Sequence, residues 1–274
     1  MFLANLFRAN LPDEVAAVHH ERLNFLSFGV HTPDLSHMTM FNTVGNVPHI
    51  RAFWQRKLGY DQAEQAPAYV EMSHVLSKAG LFENLDLIDK DRSVDIIVLT
   101  RPIEEIVWSF VNHFDFVSYG FMWPFTLDPN YPNTILKLRP EHFNPVRIAH
   151  WYVCEMFTRA AYYEQLLHDV PNLRFHRISL TDIIDARGAN ALIEKFFPHE
   201  RSLSFVMPPK ANETRSPLFP PAMRDDVQRV CREITVDYAR VAAEFIRSGK
   251  RLATPDYRNR PEVVSALARY PSGT

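Results

Sequence analysis

Apolar residues recur along this chain in short continuous runs and in helical stripes, and their order predicts alternating strands and helices. Phe2, Leu3, Leu6 and Phe7 share one face of a helix over residues 2–10, which Leu11-Pro12-Asp13 ends. Residues 15–18 read as a short buried strand running into His19, His20 and Glu21. Residues 24–48 are irregular, and Ile50, Phe53, Trp54 and Leu58 mark a helix over 46–58. Strand 69–74 and a helical turn over 75–81 follow, then strand 95–100 and helix 103–113. Helix 146–168, strand 172–179, helix 189–197 and a long helix over 222–247 complete the pattern.

One stretch carries most of the information. From Ile96 to Leu99 the strand is apolar without alternation, which suits burial on both faces of a parallel sheet. Alternating strands and helices with no forced linker predict a single α/β domain, its mostly parallel central sheet flanked by helices, over residues 1–250 with a polar tail over 251–274. Ligands of such sheets collect at the carboxyl ends of the strands. Arg101 stands at that end, and Ser109 lies two turns along the next helix. A fixed guanidinium with a hydroxyl there suits a phosphate. Between 114 and 145 the chain is rich in aromatics and proline without a clear period, a length that points to a functional loop such as a substrate lid.

Composition narrows this little. The chain of 274 residues is 46% hydrophobic and 23% charged with a formal charge of -2, ordinary for a soluble globular protein and without a global pull toward nucleic acid or anionic membrane. No apolar stretch reaches membrane-spanning length, and the N-terminus lacks the features of a signal peptide. Cys154 and Cys231 form neither a disulfide framework nor a metal spacing, so the chain reads as cytoplasmic. The histidines lack ligand spacing, and adjacent His19 and His20 point to opposite faces of a strand, so no metal is expected.

The stretch Arg101 to Ser109, preceded by Tyr69-Val70-Glu71-Met72-Ser73-His74, resembles the PAPS-dependent sulfotransferase family. The resemblance implies a P-loop NTPase-like fold and 3'-phosphoadenylylsulfate (PAPS) as co-substrate, with Arg101 and Ser109 on the donor's 3'-phosphate. Similarity of order and pattern runs to about residue 220, although Pro102 follows the arginine one residue earlier than the family's proline. By the same resemblance, Glu21 or a neighbouring histidine, His20 or His19, would be the catalytic base, and Arg215 with Asn212 would reach the donor from a late loop. The acceptor would be a small molecule or carbohydrate bearing a hydroxyl or amine.

The family's first motif, a strand and a glycine-bearing phosphosulfate loop, has no counterpart here. Met1 to Phe7 resembles the helix that follows that loop, and none of the 8 glycines precedes Gly29. The expectation is therefore a fold whose first strand is missing. Two competing readings remain open: an inactive relative serving as a binding module, and a P-loop nucleotide kinase without its first motif. Glu71, Ser73 and His74 are expected at another strand end, either orienting a substrate or closing hydrogen bonds of their own.

Overall fold

In the computed structural model, which describes residues 2–20, 36–73, 75–113, 116, 126–198, 205–209 and 219–254, strands and helices alternate. Helix α1 (Phe2–Asn10) leads into strand β1 (Ala16–His20), and helices α2 (Ser36–Val44) and α3 (Pro48–Gln62) precede strand β2 (Ala68–Met72). Two 3-10 segments, Leu76–Lys78 and Phe82–Leu87, connect to strand β3 (Val94–Thr100) and helix α4 (Ile103–Asn112). Helix α5 (Pro145–Leu166), strand β4 (Leu173–Ser179), the short α6 (Leu180–Ile183), α7 (Ala186–Phe196), α8 (Pro221–Glu233) and α9 (Tyr238–Arg247) follow.

The strands pair as β1–β2 and β3–β4, both parallel, and the two pairs are not hydrogen-bonded to each other. Alternation along each strand assigns its two faces. Ala68, Val70 and Met72 of β2 and Ile178 of β4 pack with α1 and α7 in one core. On the other side, Tyr69 and Glu71 meet Lys57 of α3. Phe175 of β4 and Ile96 of β3 join residues of α2, α3, α5 and α9 in a second core. A third core lies among α4, the first half of α5, α8 and the segment around Leu127. Both strand pairs thus lie between helical layers that they share.

The sequence expectations of an α/β fold and parallel pairing hold, with four corrections. The single central sheet is two pairs among the described residues. Strand 95–100 is not buried on both faces: none of its residues is fully buried, Leu99 is 37% exposed, and Ile97, Val98 and Leu99 sit outside the three cores. Among the described residues β3 pairs with β4 alone, which leaves its other edge open. The long helix predicted over 222–247 is α8 and α9. Ile234 leaves helical geometry at φ -119 and ψ 100, and Asp237 starts α9 by accepting from Arg240 N–H at 3.0 Å. The β-branched run Ile234-Thr235-Val236 disfavours helix at that point. The irregular stretch 24–48 contains α2, whose weak amphipathic pattern left no clear period.

The described part of segment 114–145 is fixed to the scaffold rather than free as a lid. Glu155 accepts from the Ile135 and Leu136 N–H groups at 3.0 and 2.8 Å, and Arg159 donates to the Asn133 carbonyl. Asn133 in turn donates to the Phe41 and Leu252 carbonyls at 3.0 and 2.8 Å. A loop whose backbone is bonded to buried helix side chains keeps its position without regular structure of its own.

Candidate functional site

Of the residues singled out from sequence, four (Glu21, His74, Asn212 and Arg215) lie outside the described residues. His20 closes β1 and is exposed. His19, one residue earlier, is partnered: its Nε2 lies 3.6 Å from Glu64 Oε1, and its ring packs on Tyr69 with centroids 5.3 Å apart. Ser73 accepts from the Val75 N–H at 3.0 Å, which shapes the turn that leaves β2.

Arg101 follows β3 directly and is half-buried. Among the described residues its guanidinium makes one hydrogen bond, from Nη2 to the Glu105 carbonyl at 3.3 Å. No ion pair from Arg101 to Glu104 or Glu105 forms among the described residues; Arg101 is held by a backbone oxygen instead. Burial lowers its pKa, and the nearby Glu105 charge opposes that shift. A desolvated guanidinium with donors to spare favours an incoming anion. Ser109 is half-buried on α4, two turns beyond the strand end. Glu104 and Glu105 occupy the first turn of α4, so their charges offset the positive end of that helix. Anion attraction here comes from Arg101 rather than from the helix terminus.

Two buried lysines escaped sequence reading, because a lysine is ordinarily read as exposed. Lys57 of α3 is fully buried and donates at 2.6 Å both to Asp61 Oδ2 and to Glu71 Oε2. Tyr69 O–H reaches Glu71 Oε2 at 2.6 Å and Asp61 Oδ1 at 3.0 Å. Burial is the main force raising the Asp61 pKa, with Lys57 opposing it. Glu71 thereby ties α3 onto β2. Lys78, in the turn after β2, is also fully buried and donates to Tyr152 O–H at 2.8 Å. The Tyr152 ring packs edge-on against Phe110, the neighbour of Ser109, with centroids 5.2 Å apart. Phe110 and Phe116 belong to this core, so these two aromatics support the scaffold.

The thiols of Cys154 and Cys231 are free and buried, and burial pushes them up to about 12 and about 11. Thiols raised that far are poor nucleophiles at neutral pH. Among the described residues no group of three or more His, Cys, Asp or Glu is arranged to hold a metal ion. None of their helices is long and apolar enough to cross a membrane. Comparison with protein-family models, with curated proteins and with solved structures returns no match.

Proposed function

We propose that the protein is a sulfotransferase-like transferase that moves a sulfuryl group from 3'-phosphoadenylylsulfate to an acceptor hydroxyl or amine. The observation that carries the reading is Arg101: a half-buried guanidinium at a strand's carboxyl end whose one hydrogen bond among the described residues goes to a backbone oxygen. In this reading Arg101 and Ser109 hold the donor's 3'-phosphate. The acceptor oxygen or nitrogen attacks sulfur in line, and the bond from sulfur to the phosphate oxygen breaks. Adenosine 3',5'-bisphosphate leaves, and the acceptor's proton passes to a base at the end of β1, Glu21 or His20. Positioning and charge stabilisation would supply most of the rate, as in phosphoryl transfer.

The split sheet supports the finer fold assignment. Two parallel pairs between shared helical layers, with Leu99 of β3 still 37% exposed, would be joined by one more parallel strand. An isolated pair of strands is marginal, and parallel strands are ordinarily buried on both faces. Helix α1 already packs on β1, β2 and α7, as a crossover helix between neighbouring parallel strands would. A strand and loop of the kind that binds the phosphosulfate in the resembled family would fit there and give a P-loop NTPase-like sheet.

Isothermal titration with adenosine 3',5'-bisphosphate and with ATP tests the reading. Preferential binding of the bisphosphate, lost in Arg101→Ala and weakened in Arg101→Lys, is the expected result. Equal affinity of wild type and Arg101→Ala for the bisphosphate would remove the assignment.

A further inference from the structure

A second guanidinium reaches the helix that follows Arg101, and it comes from the far end of the chain. Arg224, in the first turn of α8, lies over the Trp108 ring of α4, its Cζ 6.0 Å from the ring centroid. The contact belongs to the packing of α8 on α4, where Ile106 and Trp108 share one core with Met223 and Val227. Those apolar neighbours hold α8 in place, while Arg224 itself is exposed.

Trp108 stands at the Arg101 site. Arg101 Nη2 donates to the Glu105 carbonyl at 3.3 Å. In a helix the carbonyl of residue i lies beside the side chains at i+3 and i+4. For Glu105 these are Trp108 and Ser109, so Arg101 meets α4 at the turn that carries both, and Arg224 meets the same turn from α8. Charge favours the second cation. Glu104 and Glu105, both exposed, outnumber Arg101 here, and Arg224 balances them. The first turn of α8 contains no acidic residue, so the positive end of that helix adds to Arg224. Of the two aspartates that follow, Asp226 pairs with Arg229 at 3.1 Å, and Asp225, the adjacent residue, does not share the face of Arg224.

We propose that Arg224 is a second anion-binding arm of the Arg101 site, and that it contacts the 3'-phosphate of a ribonucleotide bisphosphate. The proposal rests on the donor reading above and extends it to a residue outside the resembled motif. Two guanidiniums and the Ser109 hydroxyl suit the three oxygens and double charge of a phosphate monoester. Contact with the Trp108 ring restrains the arm before a ligand arrives, which lowers the ordering cost of binding.

Isothermal titration of the whole protein with adenosine 3',5'-bisphosphate and with adenosine 5'-monophosphate, which lacks the 3'-phosphate, tests this. Arg224→Gln should weaken the bisphosphate about tenfold, the worth of one charge-assisted hydrogen bond, and leave the monophosphate unchanged. The losses in Arg224→Gln and Arg101→Lys should be non-additive in the double variant, since both arms hold one group. Wild-type affinity in Arg224→Gln, or an equal loss for both nucleotides, overturns the proposal. If wild type ignores the bisphosphate, the donor reading falls, and the arm then stands or falls with inorganic phosphate, which must bind wild type and weaken in Arg224→Gln.

Discussion

Replacing Lys57 with methionine removes a cation from a site that solvent barely reaches. Its Nζ lies 2.6 Å from Asp61 Oδ2 and 2.6 Å from Glu71 Oε2, and the three side chains are 1%, 7% and 4% exposed. Methionine keeps most of the aliphatic stem, so packing changes little. The charge is what disappears, leaving Asp61 and Glu71 on the Tyr69 hydroxyl without the Lys57 ammonium between them. Removing one partner of a buried ion pair costs about 3–5 kcal/mol. At about 2–4 °C per kcal/mol for large domains, Tm should fall by on the order of 10 °C. Urea denaturation followed by circular dichroism measures the loss. The deficit should shrink in acid: burial raises the Asp61 pKa and Lys57 opposes that shift, so in the variant Asp61 protonates more readily and stability returns as pH falls. Replacing Asp61 and Glu71 with leucine in the Lys57→Met background should recover most of the loss. A Lys57→Met deficit below about 1 kcal/mol, unchanged between neutral and mildly acid pH, would refute the view of a dry charged network.

Three further outcomes follow from single sites. Burial pushes the Glu83 carboxyl up to about 7 from an ordinary 4.5, against the bond from Tyr163. A carboxyl raised in the folded state favours folding fully below its unfolded value and loses that contribution as pH rises through the folded one. Wild type should therefore lose up to roughly 3 kcal/mol from this group between those pH values, and Glu83→Gln should flatten the slope in urea titrations run across pH. At Gly188 an added Cβ would sit 1.7 Å from the Asp182 carbonyl oxygen, so Gly188→Ala should destabilise by roughly 2 kcal/mol or more in the same assay. Gly59, inside α3, has nothing within 4 Å of an added Cβ, and Gly59→Ala should stabilise by about 0.5–1 kcal/mol.

Where the period was strong, sequence and structure agree closely. Helix 2–10, strand 95–100 and strand 172–179 match α1, β3 and β4 to within a residue, because each carries its own local apolar pattern. Agreement weakens where the signal is local chemistry rather than periodicity. The end of α8 at Ile234 and the Asp237 cap break what hydrophobic spacing alone reads as one helix. The position of Arg101 at a strand end was legible from the apolar run before it. Its bond to the Glu105 carbonyl, rather than to a carboxylate, was not, since side-chain rotamers answer to neighbours that the spacing does not name.

Local periodicity thus settles that this chain alternates strands and helices and that an arginine ends one strand. It does so because a helix or strand needs its apolar residues on one stripe or one face, and that demand is written within a few residues. Which strands pair, and which charges are buried, is decided at long range. Strands β2 and β3 follow one another in sequence, yet each pairs with another strand, β1 and β4. Lys57 is buried because Asp61, one turn along its helix, and Glu71, from a later strand, arrive together to neutralise it. Apolar periodicity does not read that encounter; packing of the folded chain creates it.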